Sequence, residues 1–293
     1  PVGAFLSGGL DSSAIVAFAR EQTPDLRCFS IETAGEQDSG TTDDLPYARR
    51  VAAHLGVGLE VVRIEASQMV RDIEEMVWRL DEPLADPAPL NALYISRLAR
   101  ESGMKVLLSG VGGDDLFTGY RRHLALRYEP LWSWLPRGAR GGIEHLVGKL
   151  DQRSSLGRRL SRLFSGAEKT GDERLAAYFA WARRADLEPL YSDAFRAAVR
   201  DSRAEEPMLQ FLSGMSVDRR PIDRMLALEQ RFFLSDHNLI YTDKMSMAAG
   251  VEVRVPFLDL ELVELASRIP DRFKQRRSEG KWVLKKAMEP FLP

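Results

Sequence analysis

The stretch FLSGGLDSS, residues 5–13, is the part of the sequence that decides the fold. It ends a short apolar run, residues 2–6, which has about the length of one buried strand. Residues 11–19 then carry N-cap residue types followed by apolar residues at helical spacing. A strand, a glycine turn and a helix aim several backbone N–H groups and the positive end of the helix dipole at one place. The stretch therefore predicts an anion-binding loop.

The loop differs from two common phosphate-binding motifs. It has neither the Gly-Lys-Ser/Thr ending of a Walker A loop nor the spacing of a dinucleotide site. Asp11 would repel a phosphate group unless a divalent cation lay between them. We interpret the stretch as a loop for metal-bridged phosphate; a capped turn that binds nothing is the alternative.

Composition excludes several classes of protein. The chain has 293 residues and a formal net charge of −2, which argues against a dedicated nucleic-acid binder. A single cysteine, Cys28, excludes an internal disulfide and a Cys-cluster zinc site, and fits a reducing cytoplasm. No apolar run is long enough to span a bilayer, and no signal peptide is visible. We expect a cytoplasmic protein, and we interpret the chain, which starts at Pro1 directly in a core strand, as a piece of a longer one.

Strand and helix patterns alternate from residue 1 to about 120, as in a parallel α/β layer. Strands are predicted at 2–6, 27–33, 59–64 and 104–110, and a polar loop at 34–44. Helical periodicity dominates residues 121–293, and we read 121–222 as an all-helical extension. Within it, residues 137–162 carry seven Lys or Arg against two acids, which indicates a solvated helix face or an RNA-contacting patch.

A second glycine-rich stretch, LLSGVGGDDLFTGY at 107–120, also follows a predicted strand. Ligands of parallel sheets bind beyond the carboxyl ends of the strands, so both loops are expected at one edge. Asp11 and Asp114 would then face each other across a phosphate group and share Mg²⁺, which prefers carboxylates, waters and phosphate oxygens. The pair of loops predicts a magnesium–nucleotide site.

Five motifs together resemble the synthetase domain of glutamine-dependent asparagine synthetases, in order and in spacing. They are SGGLDSS, LDEPLADPA, LLSGVGGDDLFTGY, DKMSMAAGVEVRVPFLD and EGKWVLKKAM. The first loop resembles the pyrophosphate-binding loop (PP-loop) of the ATP pyrophosphatases, and the β-lactam synthetases are close relatives. The resemblance covers residues 1–293, most weakly 121–222, and implies an α/β fold. That fold is a parallel sheet of about five strands flanked by helices, adenine nucleotide α-hydrolase-like, with a large helical extension.

The resemblance also implies the chemistry and the cofactors, ATP and Mg²⁺. A substrate carboxylate, that of aspartate or a related acid, attacks the α-phosphate to give an acyl-adenylate and pyrophosphate, and ammonia then displaces AMP. Asp11 and Asp114 are the implied metal ligands, and with Lys281 the implied catalytic residues. The implied nucleotide-binding residues are Phe5, Leu6 and Ile31 near adenine, Ser7, Gly8, Gly9, Asp11, Ser12 and Ser13 at the phosphates, and Ser109 and Gly110 beside the nucleotide.

Other polar residues of these motifs are expected to stabilise the fold rather than to take part in the chemistry. Glu252, Arg254 and Asp259 are expected in buried or half-buried pairs that fasten the helical part to the sheet. Asp86, like Asp81 and Glu82, borders the proline-rich stretch and the expected substrate pocket, and at least one of the three is expected to cap a helix. His237 is interpreted as a helix-surface residue rather than as an acid–base catalyst.

The sequence departs from the family pattern in two ways. Val111 stands where asparagine synthetases typically carry Glu, and valine can neither contact a substrate ammonium nor handle a proton. Either Asp115 or another residue replaces that carboxylate, or the substrate is not aspartate. The family's N-terminal glutaminase domain is also absent from these residues. Ammonia would come from such a domain, and a homodimer is a candidate assembly.

Three other functions stay open at this point. The adenylation could serve a different acceptor, as in β-lactam closure or amidation of another carboxylate. A tRNA-modifying relative of the ATP pyrophosphatases would use the basic run at 137–162, although paired cysteines are missing and the net charge is near zero. A nucleotide-binding module without turnover would account for Val111.

Overall fold

The structure, a computed structural model, describes residues 1–34, 44–82, 84–151, 154–182 and 184–293. Most of the polar loop predicted at 34–44 lies outside the described residues. The chain divides into two compact units, one formed by residues 1–119 and 230–293, the other by residues 120–229. No helix in the described ranges combines the length and the apolar character that crossing a membrane requires.

The first unit contains a five-stranded parallel sheet, the number of strands that the family resemblance implies, and four of the strands lie where the sequence pattern predicts them. Its strands are β1 (Val2–Phe5), β2 (Arg27–Ala34), β3 (Gly58–Glu65), β4 (Val106–Leu108) and β5 (Glu252–Arg254), in the spatial order β3-β2-β1-β4-β5. The chain winds from β1 outward to β3 and then returns to β4 on the other side. β1 is thus the switch point of the sheet, where open α/β sheets bind ligands.

Helices follow each strand of the sheet along the chain. In the first unit they are α1 (Leu10–Gln22), α2 (Leu45–Leu55), α3 (Ala66–Arg79), α4 (Ala88–Glu101), α5 (Gly113–Phe117), α14 (Ile240–Ala248), α15 (Leu260–Arg268), α16 (Asp271–Lys274) and α17 (Trp282–Met288). A π-helix (Glu229–Leu239) runs into α14, and a 3₁₀ turn (Pro256–Leu258) follows β5. Gly56 ends α2 in the left-handed conformation, which glycine adopts without strain.

The core lies on both faces of the sheet because successive strand residues point to opposite sides. Ala4, Leu6 and Cys28 pack with α1, α2, α5, α15 and α17. Phe29 and Leu107 face the other way, toward α4. Farther along β2 and β3, Ile64 contacts residues of α3, α4 and α14. Two helical layers therefore enclose the sheet and leave its carboxyl edge for the loops.

The second unit is helical. Its α-helices are α6 (Arg121–Tyr128), α7 (Arg137–Gly148), α8 (Ser155–Phe164), α9 (Gly171–Ala177), α10 (Arg184–Leu187), α11 (Asp193–Ala198), α12 (Glu206–Ser213) and α13 (Pro221–Leu228), with 3₁₀ turns at Glu129–Leu131 and Glu188–Leu190. Arg174 is 1% exposed and is held by Glu129 and by backbone carbonyl oxygens, as buried charges require.

Residues 252–259 correct the sequence interpretation twice. They contain a strand, β5, where continued helix was expected. Glu252 and Arg254 pair with each other on that strand and are more than half exposed, so the expected buried fastening is wrong. Asp259 instead caps α15, where its side chain accepts the N–H groups of Glu261 and Leu262.

Candidate active site

The first loop joins β1 to α1 and presents backbone N–H groups at the start of the helix. Gly9 is the N-cap residue, and no side chain caps the helix there. Gly8 has a φ of 77° and lies against the backbone of Tyr47 and Ala48, so a side chain would collide with α2. Ser7 and Gly9 are exposed to solvent. An uncapped, solvent-facing helix start is a site where an anion can bind.

Serine side chains hold the loop in shape. The hydroxyls of Ser7 and Ser12 lie 3.0 Å apart, and Ser12 also receives the Ser7 N–H and donates to the Gly9 carbonyl oxygen. Ser13 is 1% exposed, and its hydroxyl has no hydrogen-bond partner among the described residues. A buried hydroxyl without a partner is costly, so Ser13 is positioned for a ligand oxygen.

The second loop follows β4 and touches the first. A Cβ atom on Gly110 would lie 2.5 Å from the Ser12 nitrogen, so only glycine allows this approach. Ser109 is 6% exposed; its N–H donates to the Arg254 carbonyl oxygen at 2.8 Å, and its hydroxyl accepts the Val111 N–H at 3.3 Å. The two loops therefore meet beyond β1 and β4, as their sequences predict.

Asp11, Asp114 and Lys281 meet at this junction. The Lys281 Nζ lies 2.5 Å from the Asp11 Oδ2 and 2.6 Å from the Asp114 Oδ1. The Lys281 and Asp11 side chains are 14% and 11% exposed, and Asp114 is 35% exposed. Because these residues come from three distant parts of the chain, the site depends on the completed fold.

Burial and charge shift the titration of this cluster. Burial raises the pKa of Asp11 to about 6, and the nearby Asp114 charge adds to that effect while Lys281 opposes it. Burial disfavours the Lys281 ammonium, but the two carboxylates outweigh it and raise the Lys281 pKa above its ordinary value. Two carboxylates thus share one cation in a poorly solvated place.

The carboxylates also fit a divalent cation. The Asp11 Oδ1 is buried and has no hydrogen-bond partner among the described residues, so a ligand position is available. Within those residues, no three His, Cys, Asp or Glu side chains form a metal site by themselves. Mg²⁺ needs only one or two carboxylates when phosphate oxygens and waters complete its shell, so Asp11 and Asp114 suffice.

The backbone around Lys281 explains how it reaches the carboxylates. Lys281 has a φ of 55°, and its N–H donates to the Phe117 carbonyl oxygen at 2.9 Å. A Cβ atom on Gly119 would lie 1.5 Å from the Asp114 Oδ1 and 2.2 Å from the Lys281 Cε. Left-handed backbone at a non-glycine residue is uncommon and marks functional sites. Gly119, the glycine of the closing Gly-Tyr, was not singled out from the sequence.

The three residues expected near adenine do not form one surface. Leu6 is 1% exposed in the core beside α1 and α2, which leaves only its backbone for a ligand. Phe5 packs on the opposite face near α4, and Ile31 contacts the cluster of α3, α4 and α14. Ile31 lies two residues beyond the β1–β2 pairing at Phe29, above the end of β1. The role of these three residues at adenine stays a prediction.

Two predictions on polar residues have clear outcomes. Asp86 accepts the N–H of Ala88, the first residue of α4, at 2.9 Å from one position before the N-cap residue, Pro87, which has no capping side chain. His237 is only 14% exposed and lies 3.2 Å from the Asp86 Oδ2, so its assignment to the helix surface is wrong. The Asp–Pro–Ala sequence signals the cap, whereas no local signal pairs positions 86 and 237.

Comparisons with known proteins agree with this geometry. The family described as asparagine synthase matches residues 1–293. A Mycobacterium tuberculosis protein, named provisionally as a glutamine-hydrolyzing asparagine synthetase, is 34% identical over 298 residues, which are 100% of this chain and 43% of the relative. Asparagine synthetase [glutamine-hydrolyzing] 1 of Bacillus subtilis is 30% identical over 304 residues, which are 100% and 44%.

A third relative has a different name. Amidase chyE of Penicillium rubens is 25% identical over 324 residues, which are 100% of this chain and 47% of the relative. The chain therefore spans a little under half of the length of each of these relatives. With the family match over its full length and two facing glycine loops at the switch point, the chain belongs to the asparagine synthase family.

Proposed function

We propose that the protein is an ATP-dependent amide-forming ligase. It adenylates a substrate carboxylate, releases pyrophosphate, and forms an amide when ammonia displaces AMP. The observation that carries this proposal is the convergence of Asp11 and Asp114 on Lys281 beside an uncapped helix start. Family membership supports the same reaction class and the use of ATP.

The first loop would hold the β- and γ-phosphates of ATP. The N–H groups at the uncapped start of α1 would donate to the phosphate oxygens, and the hydroxyls of Ser7, Ser12 and Ser13 would supply further donors. Asp11 and Asp114 would hold Mg²⁺, which neutralises phosphate charge when it is bound.

Lys281 would stabilise the negative charge that develops on the α-phosphate during adenylation. Among the described residues, its ammonium pairs with both aspartates, and its raised pKa keeps it charged at neutral pH. As the carboxylate oxygen attacks phosphorus, negative charge develops on the phosphoryl oxygens, and a fixed cation stabilises that charge. Lys281 therefore acts mainly on the transition state of adenylation.

Val111 bears on the choice of carboxylate. It lies between Ser109-Gly110 and the metal-facing Asp114, where a family carboxylate would face the acyl group. An apolar wall offers nothing to the ammonium of aspartate, and a buried charge without a partner costs a few kcal/mol. We infer that the substrate carries a larger or less charged body than aspartate does. An amidase name among the relatives is compatible with such a substrate.

A screen of carboxylates tests the proposal. Each acid is added with ATP, Mg²⁺ and labelled pyrophosphate, and carboxylate-stimulated ATP–pyrophosphate exchange is measured. Exchange with at least one acid, lost in Asp114→Asn, is the expected result. A protein that binds ATP but exchanges pyrophosphate with no acid is a binding module, and salt-dependent tRNA binding would favour the tRNA-modifying alternative.

A further inference from the structure

A tight turn that carries two arginines directly precedes Lys281. The backbone groups of Arg276 and Glu279 bond to each other in both directions, at 2.8 Å and 2.9 Å, and two residues form the bend between them. We call residues 276–279 the arginine turn. Its first bend residue, Arg277, has a φ of 54°, a conformation that glycine and asparagine adopt most readily. An arginine in left-handed backbone is uncommon, and such positions cluster at functional sites.

The arginine turn is anchored to the second glycine loop. Gly280 follows the turn, and a Cβ atom there would lie 2.2 Å from the Thr118 carbonyl oxygen. The next N–H group, that of Lys281, donates to the Phe117 carbonyl oxygen. Thr118, Arg277 and Lys281 are the non-glycine residues with positive φ in the described part of the chain. Left-handed backbone is therefore concentrated where the chain delivers its lysine to both aspartates.

Trp282, the residue after Lys281, orients one of the two arginines. The Arg276 guanidinium lies over the Trp282 ring, 4.9 Å from its centroid. The Phe273 and Trp282 rings stack with centroids 6.1 Å apart and an interplanar angle of 28°. A guanidinium that rests on an aromatic face keeps its N–H groups at the edge, where they can bind a ligand. The arginine is thus oriented before a ligand arrives.

A cavity of about 300 Å³ lies beside the arginine turn. Its lining consists of Arg276, Arg277, Ser278, Glu279 and Trp282. Within the described ranges neither guanidinium forms an ion pair, whereas Glu279 pairs with Lys285 at 2.9 Å. Neighbouring like charges repel each other. The cavity therefore carries an excess of positive charge that an anion would offset.

The donors of this cavity suit a phosphate group better than a carboxylate. Each guanidinium presents its N–H groups in a planar fork that matches the spacing of two anionic oxygens. The Ser278 hydroxyl adds a further donor. A carboxylate has only two oxygens to share among these groups, whereas a phosphate group has enough for both arginines and the serine.

We propose that the arginine turn and Trp282 form an anion subsite that takes a phosphate group of a reactant. This assignment rests on the function proposed above. Arg277 is four residues before Lys281, so their Cα atoms are at most about 14 Å apart, and Trp282 adjoins the lysine. A reactant that is bound at Lys281 can therefore reach the subsite.

Two reactants can supply the phosphate group. ATP carries a terminal phosphate, and the substrate acid can carry a phosphate in addition to the carboxylate that is adenylated. The second source would also explain how an acid is selected when Val111 replaces the family carboxylate. In that case the arginines hold the body of a larger acid while its carboxylate attacks the α-phosphate.

Inorganic phosphate tests the subsite without turnover. It is titrated into the full-length protein, and the signal of Trp282 is taken as the fluorescence difference between the protein and its Trp282→Phe variant. We expect a saturable change whose Kd rises by about tenfold or more in the double variant Arg276→Gln, Arg277→Gln. Arg272→Gln is the matched control, because Arg272 is exposed and lies over the Phe273 ring at 4.8 Å but is outside the cavity lining.

The kinetics of ATP–pyrophosphate exchange distinguish the two sources. If ATP supplies the phosphate, the double variant raises the KM of ATP by about tenfold and keeps the KM of the acid within about twofold of wild type. If the acid supplies it, the two changes are reversed, and phosphate-bearing acids give the highest kcat/KM with the wild-type protein. The replaced arginines are exposed, so the Tm of the double variant should equal that of wild type.

The subsite is refuted by either of two results of the titration. One is the absence of a saturable change in the Trp282 signal, and the other is an equal loss of affinity in Arg272→Gln. Unchanged KM values for both ATP and the acid in the double variant would refute its part in the reaction. No exchange by the wild-type protein with any acid would instead overturn the proposed function, while the titration would still decide whether the arginine turn binds phosphate.

Discussion

Replacing Lys281 by methionine is the sharpest test of the cluster at the loop junction. The substitution keeps the length and apolar body of the side chain and removes only its charge. In the structure the ammonium lies 2.5 Å and 2.6 Å from two carboxylates, and the side chains of Lys281 and Asp11 are at most 14% exposed. Breaking a buried pair costs about 3–5 kcal/mol because a charge is left without compensation.

We expect Lys281→Met to lose less folding stability than the about 3–5 kcal/mol of a fully buried pair. Asp114 is 35% exposed, so water partly screens its interaction with Lys281. Asp11 can also escape the penalty by taking up a proton, since burial already raises its pKa to about 6. We therefore expect Lys281→Met to lower the free energy of unfolding at pH 7 by about 2–3 kcal/mol, or Tm by roughly 4–12 °C.

A divalent cation should recover part of that loss. With the ammonium gone, Mg²⁺ or Mn²⁺ at millimolar concentration occupies the place between the carboxylates and stabilises the folded state by mass action. Thermal unfolding without nucleotide, with and without MnCl₂, measures this for wild type, Lys281→Met and Lys285→Met. Lys285 is half exposed and pairs with Glu279, so its variant is the control.

Two outcomes would refute the reasoning. A Lys281→Met protein within about 0.5 kcal/mol of wild type would show that the ammonium does not hold the carboxylates together. The same Mn²⁺-induced rise of Tm in all three proteins would show that the cation binds elsewhere. A rise confined to Lys281→Met shows that lysine and metal compete for one place.

Three further predictions concern the same loops. Asp11→Asn and Asp114→Asn should each abolish Mg²⁺-dependent pyrophosphate release while far-UV circular dichroism stays unchanged; near wild-type release would contradict a shared metal. Because burial raises the pKa of Asp11 to about 6, the folded state binds more protons than the unfolded state between about pH 4 and 6. The stability that this extra proton binding contributes is therefore lost as the pH rises through that range. Urea unfolding should show that slope flattened in Asp11→Asn. Val111→Glu should raise aspartate-dependent pyrophosphate release, and efficient asparagine formation by the unmutated protein would refute the inferred substrate preference.

The two glycine loops were predictable from the sequence because their signals are local. Each combines an apolar run, glycines and a carboxylate within about ten residues, and parallel strands bring their carboxyl ends to one edge. The position of Asp114 relative to Asp11 follows from this rule alone. The facing carboxylates thus need no information about the rest of the chain.

β5 and the pair of Asp86 and His237 were not predictable in this way. β5 has three residues, Glu252–Arg254, too few for a period-2 pattern to stand out from the helices around it. It is a strand because β4 offers an unpaired edge after the chain has made a helical excursion of more than a hundred residues. Such a pairing is a tertiary effect that overrides local preference.

β5 in turn determines where the neighbouring elements lie. The chain must return to the sheet at Glu252, and α14 must therefore descend from the carboxyl edge to reach it. That descent places the preceding π-helix, with His237, above the strand ends and beside the start of α4. The chain then continues from β5 through α15 and α16 to Lys281, which meets the carboxylates. A strand of three residues thus sets the path of the chain to Lys281, which explains why the two glycine loops are evident in the sequence whereas the cation that joins their carboxylates follows only from the complete fold.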